Sequence, residues 1–276
     1  MAKTTTDTPH GAPSSAAPAG GDAATDTDTG LWLRRFRQSA PDAPRLVCFP
    51  HAGGAATWFM PVAEAMAPRA DVLAVQYPGR QDRRSEPPVD DVLVLAARIT
   101  RVLTELEDRP TLFFGHSMGA VVAFEVARAL AARGKRGPEH LYASGRRAPH
   151  SYRDDRVHER DDEGVLEEVR SLDGTDSRLL HDDEVVRMVL PAIRADYRAV
   201  ETYRCPPGEP LECPVTVLTG DDDPKTTIEE AEAWREWTTG GFRMEVFRGG
   251  HFYLTEHQAG VLRIVGEGLD GLDRAS

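Results

Sequence analysis

The sequence predicts an α/β chain, a mostly parallel sheet flanked by helices with a helical insertion between two of its strands. Three observations predict it. From residue 45 onward, short β-branched or aromatic runs alternate with helical periods. A Gly-x-Ser-x-Gly pentapeptide at 115–119 stands between an apolar run and an apolar helix. Between 152 and 203 the strand signal stops, two charge-rich helical stretches take its place, and the alternation then resumes.

Each element follows from its own residues. With 276 residues, 40% of them hydrophobic, the chain can bury one sizeable core without disulfides or metal as staples. The first 29 residues, mainly Ala, Thr, Asp, Gly, Pro and Ser, hold too little apolar surface to offset the entropy of ordering and predict a disordered tail. The folded domain is then expected over 30–276. A strand at 45–49 ends in Pro50-His51-Ala52-Gly53-Gly54, followed by a short helix over 58–66 and a strand at 72–77. Val92, Leu95, Ala96, Ile99, Val102, Leu103 and Leu106 share one helical face. Strands follow at 111–114 and 141–144, with a helix between them running through Leu130. Helices are expected over 165–172 and 182–203, forming an inserted lid at about 152–203. The sheet resumes at 214–219, with a helix near 228–237, a strand at 243–247 and a last helix after His257.

Several function classes fall away on composition. Cys48, Cys205 and Cys213 are an odd number with no C-x-x-C pair, which fits a reducing compartment better than a disulfide framework. No apolar run is long enough for a secretory signal or a membrane span, so a soluble, cytoplasmic protein is expected. A net charge of −12 opposes binding to nucleic acid, which wants a basic surface.

The chemistry begins at Gly115-x-Ser117-x-Gly119. Glycines on either side let the chain turn sharply from strand to helix and lift a nucleophilic hydroxyl clear of the sheet. A serine hydroxyl is a weak nucleophile, so it needs an imidazole to take its proton and an acid to orient that imidazole. In the α/β-hydrolase fold these come in the order Ser, acid, His. Downstream, Gly220-Asp221-Asp222-Asp223-Pro224 closes one strand and Gly249-Gly250-His251 the next. His251 is therefore the expected base, with His257 as fallback. His116, as the neighbour of Ser117, should point elsewhere. The turn before Pro224 favours Asp223 as the acid, with Asp222 as the alternative. The backbone N–H groups of Met118 and Ala52 are the expected oxyanion donors.

PHAGG, YPGR (77–80), GHSMG, SGRRAP (144–149), LPAIRADY (190–197), GDDDP and GGHFYL together closely resemble type II thioesterases, the free-standing thioesterases of polyketide and nonribosomal-peptide assembly lines. The resemblance spans roughly 31–270. It implies hydrolysis of an acyl group tethered through phosphopantetheine to an acyl or peptidyl carrier protein, through an acyl-serine, with no metal and no soluble cofactor. It also implies the acid at Asp223 and a helical lid over the acyl channel, towards which Val185, Met188, Val189, Leu190 and Ile193 are candidates; each could equally serve only to hold the lid to the body. Carrier proteins are usually acidic, so docking calls for a local basic patch, and Arg80, Arg83 and Arg84 are the first candidates. Arg146 and Arg147 are weaker ones, expected rather to pair internally or stay solvated. A general carboxylesterase would use the same three catalytic residues. A malonyl-type acyltransferase shares the Gly-His-Ser-x-Gly turn but lacks the downstream Asp and His arrangement, and a non-catalytic acyl-carrier-binding protein would not need an intact Ser117, Asp223 and His251 set.

Overall fold

The computed structural model describes Met1 and residues 29–172 and 182–275. Residues 2–28, expected as a disordered tail, and 173–181, part of the expected lid, lie outside the described residues. In chain order the elements are α1 Thr29–Trp32, β1 Leu33–Arg34, β2 Arg45–Phe49, α2 Met60–Met66, β3 Asp71–Val75, α3 Val92–Leu103, β4 Thr111–His116 and α4 Met118–Ala131. There follow β5 His140–Ser144, α5 Asp162–Ser171, α6 Asp183–Thr202, β6 Val215–Gly220, α7 Ile228–Glu232, β7 Phe242–Phe247, α8 Tyr253–Glu256 and α9 Gln258–Ala275. The seven strands form one sheet in the order β1-β3-β2-β4-β5-β6-β7, parallel throughout except that β1 runs antiparallel along β3.

Burial explains why the strands read as continuous apolar runs. Every residue of β2, β3 and β6 is buried, because helices cover both faces of a parallel sheet. One face packs α3 and α4 through Leu95, Ile99, Val121 and Phe124. The other packs α2 and α9 through Ala63, Met66, Ile264 and Val265. Between β5 and β6 the chain carries a 3₁₀ turn at Val157–Glu159, α5 and α6, joined by a small apolar cluster of their own: Val157, Val165, Leu166, Leu190, Ile193 and Tyr197.

Three elements were not anticipated, the four-residue α8 before His257 among them. α1 starts at Thr29, inside the stretch read as tail, and β1 is a two-residue edge strand. Two residues have no period to read; what fixes them is Trp32, fully buried against the sheet, with the Arg83 guanidinium 4.3 Å above its ring.

Candidate active site

The site lies where the C-terminal ends of β2, β4, β6 and β7 meet, the edge at which a parallel sheet presents its loops. Between β4 and α4 the chain turns through Ser117 at φ 54°, ψ −117°, a conformation a non-glycine residue adopts only when its surroundings hold it there. Gly115 and Gly119 make the turn sterically feasible. A Cβ on Gly115 would lie 2.3 Å from the Gly119 carbonyl oxygen, and one on Gly119 2.0 Å from that of Phe49. The Ser117 N–H donates to the Ser144 carbonyl at 2.8 Å, fastening the turn to β5.

His251, 3% exposed, brings its Nε2 to 2.9 Å from Ser117 Oγ. Its Nδ1 lies 2.9 and 3.0 Å from the two carboxylate oxygens of Asp223. Asp223 is itself buried, and its Oδ1 also accepts the Lys225 N–H at 2.8 Å. The neighbouring acids stand apart. Asp221 is exposed and accepts the Gly249 N–H at 2.8 Å, while Asp222 is exposed and donates its backbone N–H to the Gly249 carbonyl at 3.0 Å. His257 bonds the Arg248 carbonyl instead. His116 turns away from Ser117, its Nδ1 3.0 Å from the Ser144 hydroxyl.

Two more imidazoles crowd the base, with ring centroids of His116 and His251 5.1 Å apart and of His51 and His116 5.9 Å apart. Burial first, and then the nearby cationic forms, push His51 down to about 3 and His116 well below the usual histidine range. Both therefore stay neutral at physiological pH, which spares His251 a cationic neighbour.

Met118 is the first residue of α4, so its N–H has no carbonyl one turn back and sits at the positive end of the helix dipole. Across the site the bonds that hold the 51–54 loop include Gly54 N–H to the His51 carbonyl at 2.9 Å and Gly53 N–H to Asp196 Oδ2 at 2.7 Å. Ala52 lines the same pocket as Ser117 and His251.

That pocket, about 50 Å³, is walled by Val169, Leu172, Tyr197 and Val200 from the inserted helices and by Phe252 beside His251. The expected channel residues are placed differently. Met188 is exposed at 54%, Val189 is half-buried against the lid cluster, and Leu190 and Ile193 are buried within it. Val189, Leu190 and Ile193 hold the inserted helices together, none of the four lines the pocket, and Ile193 also packs on Gly53 of the loop. The wall begins one turn later on α6. Tyr197 and Val200 continue the i, i+3, i+4 stripe of Leu190 and Ile193, a signal present in the sequence but followed too short a distance.

The basic patch is corrected as well. Arg80 is buried in a two-pronged pair with Asp196, at 2.6 and 2.8 Å. Arg83, 2% exposed, pairs with Glu86 and donates to the Gln76 carbonyl at 2.9 Å. Neither presents charge to a partner, and only Arg84 of the three is exposed. Arg146 and Arg147 are buried too. Arg147 donates to the Ser151 and Lys225 carbonyls, and Arg146, pushed down to about 9 by burial and by Arg147, walls the pocket.

Comparison with known proteins agrees with this geometry. Residues 44–269 match the thioesterase domain family. The chain is 54% identical over 251 residues, 91% of its own length and 69% of the relative's, to a probable cadicidin biosynthesis thioesterase of Streptomyces griseus. It is 50% identical over 232 residues, 84% and 83% of the two chains, to thioesterase PikA5 of Streptomyces venezuelae. Among solved structures, the type II thioesterase BorB from the borrelidin biosynthetic cluster is 53% identical and superposes with a TM-score of 0.82 over 87% of this chain and 98% of its own. A nucleophile-elbow serine, a seven-stranded sheet of this order and a family match across most of the domain lead to one conclusion: the chain belongs to the thioesterase family and is an enzyme of the α/β-hydrolase fold.

Proposed function

We propose that this protein is a type II thioesterase that removes acyl groups from the phosphopantetheine arm of an acyl or peptidyl carrier protein in polyketide or nonribosomal-peptide biosynthesis. The observation that carries the reading is the unbroken relay Ser117 Oγ, His251 Nε2, His251 Nδ1, Asp223, with both links at 2.9 Å, in a chain half identical to thioesterases of such pathways.

In this reading Ser117 Oγ attacks the thioester carbonyl as His251 Nε2 takes its proton. Asp223 orients the ring and stabilises its cationic form. The carbonyl oxygen, now negative, is held by the N–H groups of Met118 and Ala52. Collapse of the tetrahedral adduct breaks the C–S bond, and His251 returns the proton to the departing thiolate. Water then repeats the sequence on the acyl-serine, releasing the carboxylic acid and restoring the Ser117 hydroxyl. Every step uses protein groups and water.

The test compares kcat/KM for a series of acyl chains, each presented on a phosphopantetheinylated carrier protein and as a simple thioester or ester, with Ser117→Ala as control. Preference for the carrier-bound thioester, an acyl adduct on Ser117 seen by mass spectrometry and loss of turnover in Ser117→Ala support the reading. Indifference to the carrier, with esters cleaved equally well, points instead to a general carboxylesterase. Wild-type turnover by Ser117→Ala removes the serine mechanism altogether.

A further inference from the structure

The loop that carries the Ala52 N–H is not self-supporting, and its supports come from two distant segments. The first is the stretch after β3 that contains the YPGR motif. There the Tyr77 hydroxyl donates to the Pro50 carbonyl at 3.2 Å, the Gln76 side-chain oxygen accepts the Ala56 N–H at 2.8 Å, and Arg80 Nη1 donates to the Gly54 carbonyl at 3.0 Å. The second is α6. From it Asp196, with no exposed surface, accepts the Gly53 N–H at 2.7 Å and both prongs of Arg80. Asp196 thus satisfies the loop and the arginine at once, and Arg80 also lies over the Tyr77 ring at 5.2 Å. Gly53 has φ +76°, and any Cβ there would meet Ile193 Cγ1 at 2.9 Å, so α6 presses directly on the loop.

An oxyanion donor works only if its N–H is aimed before the reaction, because the stabilisation comes from dipoles that need no reorganisation. Ala52 precedes Gly53. The Ala52 N–H shares its peptide plane with the His51 carbonyl, which accepts the Gly54 N–H at 2.9 Å, and the next plane carries the Gly53 N–H held by Asp196, so the Ala52 backbone is fixed between two anchored planes. Burial of the ion pair adds stiffness, since removing either partner leaves the other charge uncompensated.

We propose that Asp196 and Arg80 are positioning residues for the oxyanion hole: they clamp the 51–54 loop between α6 and the segment after β3, so that the hole is complete only when this part of α6 is seated on the body. The proposal rests on the serine mechanism above and adds to it a role for two residues that touch neither substrate nor reacting atoms. Its consequence is that the C-terminal half of α6 belongs to the catalytic framework. An opening of the inserted region that keeps the hole intact must pivot before Asp196, toward α5 and the first turns of α6.

The experiment uses the full chain and a small soluble acyl thioester, so that carrier docking plays no part. Asp196→Ala, Asp196→Asn and the double variant Arg80→Met with Asp196→Asn are compared with wild type. Active sites are counted by exhaustive labelling with a fluorophosphonate, and the melting temperature is recorded for each. Two readouts are taken per active site: kcat with KM, and the affinity of an alkyl boronic acid, whose tetrahedral serine adduct places an oxygen in the hole.

Asp196→Ala is expected to lower kcat about 10²-fold or more, the scale of losing one oxyanion donor. Boronate affinity should weaken in parallel and KM should change little. Asp196→Asn keeps an acceptor for Gly53 but leaves Arg80 unpaired. The double variant keeps that acceptor and removes the stranded charge, and is expected to recover much of kcat and of boronate affinity. If Asp196→Ala retains wild-type kcat and boronate affinity per labelled site, differing only in melting temperature or in the fraction of labelled protein, the pair merely holds the fold and the proposal is overturned. Inactivity of Ser117→Ala alongside that result would leave the serine mechanism standing, so the two failures are distinguishable.

Discussion

At the scale of single residues, the acid shows how much a few ångströms decide. Asp221, Asp222 and Asp223 are chemically identical in the sequence, and only the turn geometry before Pro224 and the family pattern separate them. In the fold, Asp223 alone is buried and aimed at His251 Nδ1, while its two predecessors face solvent or cap the next strand. Asp223→Asn is expected to lower kcat by about 10⁴-fold, through loss of the charge and the wrong imidazole tautomer. Asp222→Asn, an exposed substitution, should leave it within about twofold. Steady-state kinetics on one soluble thioester reads both. Arg83 gives a different lesson: its spacing in an arginine-rich loop suggested a surface, yet it lies over Trp32 and pairs with Glu86. Arg83→Glu should therefore depress carrier-bound and soluble substrates alike, with a lowered melting temperature, because it places a buried carboxylate beside Glu86.

At the scale of elements, the strand-turn-helix of β4 and α4 was legible because its steric demands are local. Small residues at 115 and 119 are required by contacts within the turn and with the end of β2. Gly119→Ala, whose Cβ would overlap the Phe49 carbonyl, is expected to destabilise by about 1–3 kcal/mol or more. That is a fall in melting temperature of about 2–4 °C per kcal/mol for a domain of this size. Thr227 makes a useful contrast, since it caps α7 in a reciprocal capping box with Glu230 and bonds to no member of the relay. Thr227→Ala should cost about 1 kcal/mol and leave kcat per active site unchanged; thermal unfolding and kinetics measured together separate the two effects. α6 was recognised as a helix but its faces were misassigned. Periodicity gives a stripe, whereas which end of the stripe meets the pocket depends on how the helix crosses the sheet edge.

At the scale of the whole molecule, burial of histidine makes stability depend on acidity. His51 is pushed to about 3 and His140 to about 4, and His116 lies well below the ordinary value, in each case mainly through burial. Between the unfolded value near 6.5 and these folded values, only the unfolded chain binds the protons. Stability should therefore be fully present above about pH 6.5 and fall as pH drops from there toward 4, by up to about 1.4 kcal/mol per pH unit for each histidine. His140 lies away from the relay, stacked on Tyr142 and bonded to Thr216. His140→Gln is expected to flatten the melting-temperature profile between pH 4 and 6.5 without changing kcat at neutral pH. A variant profile parallel to wild type would show that burial of this ring does not set the acid limit.

The sequence by itself determined what depends on neighbours along the chain: the alternation of strand and helix, the glycine-flanked serine, the order of serine, acid and base, and the family those motifs belong to. Their physical content is local, a period of two or 3.6 residues or a turn that only glycine permits. The tertiary structure alone decided which surface each remaining residue faces. Arg80 meets Asp196, 116 positions away, and Tyr197 rather than Met188 reaches the pocket. Such pairings are set by the packing of α6 across the strand ends, where burial makes a matched charge pair far cheaper than a lone charge, a condition no one-dimensional pattern records.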